Sequence, residues 1–117
     1  MQQTGASAEQ IEDLIQQGLL FPIEEEGARV FSSDDVLLLD LYDQLAKIGL
    51  PLALPALIRF QLRQLVRSEI AACEQYLLPR WQEADLALEQ QTEQFEKVLA
   101  LTDTLISIIH RKLLYQV

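Results

Sequence analysis

Apolar residues recur at helical spacing in four stretches of the chain, and polar or special residues mark where each begins and stops. In the first, Ile11, Leu14 and Ile15 share one face of a segment from about Ala8 to Gln17. Ser7 with Gln10 three residues on is a capping-box pair, each side chain able to satisfy an amide at the helix start, and Gly18 is the natural stop. "GLLFPIEEEGARVF" then sets two short apolar runs around a polar turn closed by glycine, which predicts a small hairpin. A second helix is expected from about Asp34 to Ile48. Ser32 or Ser33 caps it, acids fill its first turn as the helix dipole favours, and Gly49 ends it. Its apolar positions, Val36 to Leu39, Leu41, Tyr42, Leu45, Ala46 and Ile48, cover so much of the circumference that it should be nearly enclosed.

After "LPLALP" a third helix is expected from near Pro55, where a first-turn proline loses no hydrogen bond, to about Leu77. Pro79 interrupts the pattern, and a last helix should run from about Arg80 to Tyr115, roughly 54 Å at about 1.5 Å per residue. Its stripe is Ala84, Leu88, Phe95, Val98, Leu105 and Ile109, close to a 3.5-residue repeat, with Gln91 and Thr102 as polar interruptions. A rod of that length outreaches what some fifty residues of head can cover. A homodimer with Leu88, Phe95, Val98, Leu105 and Ile109 at the interface is therefore expected. The pattern divides the chain into a head, residues 1–54, and a helical region, residues 55–117. The fold class is all-α with a small β hairpin.

Charge changes this picture more than composition does. The chain of 117 residues carries a net −9, and residues 1–50 hold ten acids against two bases, Arg29 and Lys47. The remainder is close to balance, so repulsion toward phosphate is concentrated in the head. Cys73 is the single cysteine, which excludes an internal disulfide and a cysteine metal cluster. A reducing, cytoplasmic setting fits, and no cofactor or metal is expected. The longest apolar runs fall short of the about 20 residues that span a bilayer, so no membrane partner is expected.

No nucleophile–base pattern and no paired carboxylates in a cleft stand out, so the chain does not read as an enzyme. His110, beside Arg111 and Lys112 late in the last helix, reads as helix-end decoration rather than a general base. Cys73 reads as a small buried hydrophobe, and Trp81 as a packing residue at the bend after Pro79. Arg59, Arg63 and Arg67 stand four residues apart and line one face of the third helix, with nothing acidic between Pro51 and Arg67. Structural pairing ranks first for them, an anionic ligand or protein partner second, and DNA phosphate last.

Three ordered stretches carry a resemblance. "TGASAEQIEDLIQQGLL" runs without a gap against a TG-V-S turn, recognition helix and terminal GLL. "GARVFSSDD" matches G-Y-R-x-Y-S followed by acids, and "LAKIGLPLALPAL" matches L-x-x-L-G-F-S-L-x-x-I. Over about residues 2–56 the chain thus resembles the mercury-resistance regulator (MerR) family of bacterial transcription factors. The resemblance implies a winged helix-turn-helix head, here lacking its first helix because only Met1 to Gln3 precede Thr4. It also implies a long dimerisation helix forming a coiled coil, and DNA contacts from Ser7, Gln10 and Arg29. The departures are electrostatic: Glu9 and Glu12 stand where the family commonly has arginines, Asp13 and Leu14 where it has an aromatic pair, and Glu24 to Glu26 in place of a basic wing.

Two functions follow as expectations. One is a MerR-type, DNA-binding homodimeric regulator whose head is incomplete or degenerate. The other is a protein-interaction modulator that does not bind DNA and meets a basic partner with its acidic head. The second resembles the MerR-like bacterial proteins that bind the basic J domain of co-chaperones.

Overall fold

The computed structural model describes residues 7–116. In chain order it contains α1 (Ala8–Gln16), β1 (Ile23–Glu25), β2 (Ala28–Val30), α2 (Ser33–Ile48) and α3 (Ala53–Ala72). A π-helical turn (Cys73–Leu77), α4 (Leu78–Glu83) and α5 (Leu88–Leu114) follow. The chain is mostly helical, with one two-stranded antiparallel sheet among the described residues. It forms two compact units, Met1–Ser68 and Glu69–Val117. Thr4 and Gly5, which carry the TG of the family-like opening, lie outside the described residues.

In the N-terminal unit, local chemistry places the helix ends where spacing predicts them. The Ser7 hydroxyl accepts from the Gln10 amide, and the Gln10 side chain accepts from the Ser7 amide. At the other end of α1, Gly18 adopts φ +72°, its N–H donates to the Ile15 carbonyl, and that of Leu19 to Leu14. This paired motif satisfies two carbonyls the helix would otherwise orphan. Ile11 and Leu14 of α1 form the core with Leu19, Leu20 and Leu39, and Ile15, Phe31, Leu38 and Tyr42 pack around it. In the hairpin, Ile23 pairs with Val30, Glu24 with Arg29 and Glu25 with Ala28. Glu26 and Gly27 both take positive φ, giving a two-residue reversal whose twist suits antiparallel strands. All six strand residues are exposed, so the hairpin is held by its ladder and its flanks rather than by burial.

Ser32, not Ser33, caps α2. The expectation that α2 is nearly enclosed is corrected: Leu39 is buried, but Leu37, Leu41 and Ile48 are exposed. A core of five buried side chains reaches one face only, and the wide apolar stripe leaves the other side open.

The C-terminal part departs most from expectation. Pro79 does not interrupt the helix. Its missing N–H and its ring would disturb a regular α-helical turn, and the chain widens into π geometry just before it, the Leu78 N–H reaching back to the Cys73 carbonyl. The helix expected from Arg80 to Tyr115 is instead broken between α4 and α5, so Ala84 leaves the stripe. Asp85 takes the left-handed φ of +52°, its N–H donates to the Gln82 carbonyl, and that of Leu86 to Trp81. This is the motif that closes α1, with aspartate in the glycine position. Gln90 then accepts from the Ala87 amide and the Gln91 side chain donates to the Leu86 carbonyl, which starts α5. With 27 residues, α5 is about 40 Å long.

Candidate functional site

In the N-terminal unit, one outward face combines α1 with the hairpin, and the residues assigned to DNA sit on it. None is idle. The Ser7 and Gln10 side-chain oxygens each accept from the other's backbone amide at the start of α1. The Arg29 guanidinium on β2 is paired through both of its terminal nitrogens with the Glu12 carboxylate on α1. Gln16, one turn on, donates a third hydrogen bond to Glu12. The Arg29 guanidinium first, and Gln16 second, hold the Glu12 carboxyl below its usual range, while Glu12 pushes Arg29 still higher. Both partners are exposed, so this pair adds little to folding. Its consequence is electrostatic. The single base on this face is neutralised by its own chain, and Glu9, Asp13, Glu24, Glu25 and Glu26 are exposed acids on the same helix and hairpin.

Behind that face, three long-range polar ties hold α1, the loop after it, α2 and α3 together. Asp35 is 1% exposed and accepts from the Phe21 amide at 2.8 Å, from the Ser32 amide at 3.3 Å and from the Ser32 hydroxyl at 3.3 Å. One carboxylate thus caps α2 and anchors the segment entering the hairpin. The Tyr42 hydroxyl donates to the Leu19 carbonyl at 2.7 Å; burial first, and then the Asp35 charge, raise its pKa. The Arg59 Nε donates to the Gly18 carbonyl at 2.9 Å, where the negative end of α1's dipole also favours a cation. The guanidinium lies over Gly18 so closely that a Cβ there would stand 2.5 Å from Arg59 Nε. Glycine is needed twice at this position, for its φ and for its lack of a side chain.

The basic stripe therefore splits. Arg59 is half-buried and committed to a backbone carbonyl, a structural tie but not to an acid. Arg63 and Arg67 are exposed and make no hydrogen bond or salt bridge with the described residues.

In the C-terminal unit, Trp81 is buried and its indole donates to the Gln94 side chain at 2.6 Å, linking α4 to α5. Cys73 is a free thiol, half-buried in the π turn. His110 is exposed on α5 beside Arg111 and Lys112 in its last turn. Of the residues assigned to a dimer interface, Val98 is half-shielded within the chain, whereas Leu88, Phe95, Leu105 and Ile109 are exposed, Leu105 at 54% and Ile109 at 47%. Leu101, Ile108 and Leu113 widen the exposed stripe.

Sequence reasoning considered Glu12 and Arg29 only as opposed influences on phosphate, and the pair they form went unseen. An available signal was the replacement of a family base by an acid within reach of the remaining arginine. No group of three or more histidine, cysteine or acidic side chains poised for a metal occurs among the described residues. No helix is long and apolar enough to cross a membrane among them. Comparisons with protein-family models, with curated proteins and with solved structures found no match.

Proposed function

We propose that the protein is an interaction module that does not read DNA and that engages a basic polypeptide with the face formed by α1 and the hairpin. The observation that carries this reading is the Glu12–Arg29 pair. A duplex approaching this face meets no available guanidinium and at least five exposed carboxylates. Each close carboxylate–phosphate pair costs on the order of 1 kcal/mol even at water's dielectric, and no counterion release compensates it. A lysine- or arginine-rich surface reverses every one of those signs. By resemblance, the J domain of a bacterial co-chaperone is a partner of this chemistry. The exposed stripe of α5 supports a second element of the proposal, a homodimer, because apolar surface on that scale on one helix calls for a covering partner.

A second reading, a MerR-type regulator, is favoured by the order of capped helix, two-residue hairpin and capped helix over the residues that resemble that family. The two separate on salt. At about 50 mM salt the interaction module leaves labelled duplex DNA unbound and binds a purified basic J domain, the latter weakening as salt rises. Duplex binding that falls steeply with salt overturns it in favour of the regulator.

A further inference from the structure

A second surface lies in the N-terminal unit, away from its acidic face. There α2 and α3 flank an open groove of about 610 Å³. Leu41 and Leu45 of α2 line it from one side, Ile58, Leu62 and Val66 of α3 from the other, and Phe21 also contributes to the lining. Phe21 at 61% and Val66 at 50% exposure show that this is a trough open along its length rather than an enclosed cavity. A small molecule lying in it would keep much of its surface in water. An amphipathic helix about 10 Å across would bury its apolar stripe there and keep its polar face in water, and α3 from Pro55 to Val66 offers about 16 Å, room for the i, i+4, i+7 anchors of a docked helix.

Charge selects among helices. The groove's lining includes Arg63, and Arg67 stands one turn further along α3. Arg59 is held through its Nε to the Gly18 carbonyl, while Arg63 and Arg67 have no hydrogen-bond or salt-bridge partner among the described residues. No acid lies between Pro51 and Arg67 in a chain whose net charge is −9. The basic rim is local to this stretch of α3. We propose that this groove docks an amphipathic helix of another protein, one whose apolar stripe is bordered by aspartate or glutamate on the side that meets Arg63 and Arg67. The surface and the sign of its charge differ from those of the acidic face, so either proposal can fail without the other.

The test uses the full chain and two labelled helical peptides with leucines at i, i+3, i+4 and i+7. One carries glutamates beside the stripe and the other glutamines. Fluorescence anisotropy at about 150 mM salt should give the glutamate peptide about tenfold tighter binding, two rim ion pairs' worth, in spite of the chain's negative charge. R63Q/R67Q, at two exposed positions that hold nothing in the fold, should erase that preference and leave the glutamine peptide's affinity unchanged. Ile58→Glu should abolish both. Equal affinities, a preference that survives R63Q/R67Q, or no binding of either peptide would overturn the proposal. So would a halving of the assembly's mass on Ile58→Glu by light scattering, which assigns the groove to a second copy of this chain.

Discussion

The two units solve the same problem, how to hold helices together with few residues, in opposite ways. The N-terminal unit adds to its small core three long-range polar ties, Asp35 to Phe21, Tyr42 to Leu19 and Arg59 to Gly18. In the C-terminal unit Trp81 is the buried apolar residue among the described residues, the Trp81–Gln94 bond joins α4 to α5, and the largest helix leaves most of its apolar stripe exposed. The N-terminal unit ties its elements together with its own side chains, though it leaves the α2–α3 groove open. The C-terminal unit leaves the stripe of α5 exposed, and that contrast supports the proposed dimer seam there.

The contrast can be broken or sharpened by substitution. The largest effect is expected from Asp35→Ala, which removes the carboxylate half of the α2 capping box and leaves the Phe21 amide without its acceptor. Loss of about 3 kcal/mol is expected, read as lost amide protection in α1 and α2 by hydrogen exchange. Unchanged protection there would mean the polar ties are incidental. Next is Gly18→Ala, where left-handed backbone and the overlying Arg59 together should cost about 2 kcal/mol in chemical denaturation. In an Arg59→Ala background, where the steric part is gone, the same change should cost about half as much.

Tyr42→Phe removes a hydrogen bond worth about 1 kcal/mol near neutral pH. Because the phenol's pKa is raised above its ordinary 10.0, the contribution of neutral Tyr42 is intact below that value and fades as pH climbs through the raised one. The Phe variant should therefore lose less stability than the parent over the alkaline range, and parallel curves would refute the assignment. The smallest effect lies in the other unit. Asp85→Gly relieves a left-handed aspartate and should raise the unfolding free energy read by Trp81 fluorescence by about 0.5–1 kcal/mol, while Asp85→Ala should lower it.

What could be read from the sequence was local. Ser7 with Gln10, Gly18, the glycine-closed turn and Gly49 each act within a few residues of their own position, and α1, the hairpin and α2 fall close to where those signals put them. The break between α4 and α5 was missed for the same reason: the motif ending α4 is the one that ends α1, but Asp85 occupies the position where glycine announces it. The π turn before Pro79 was likewise hidden, because a proline predicts a disturbance without saying whether the helix stops or widens. The site itself was least legible. Arg29 meets Glu12 across 17 residues and Arg59 meets Gly18 across 41, pairings set by how elements pack rather than by any spacing along the chain. The exposure of α2's outer side depends in the same way on how few elements surround it.

The open stripe of α5 is the feature on which this contrast turns, and the mass of the full chain in solution tests it most directly. Sedimentation equilibrium at micromolar concentration should return twice the chain's 13.4 kDa, falling to a single chain when Leu105 and Ile109 are replaced by glutamate. A parent protein that sediments as one folded chain at every concentration, unaffected by those two changes, would contradict the account.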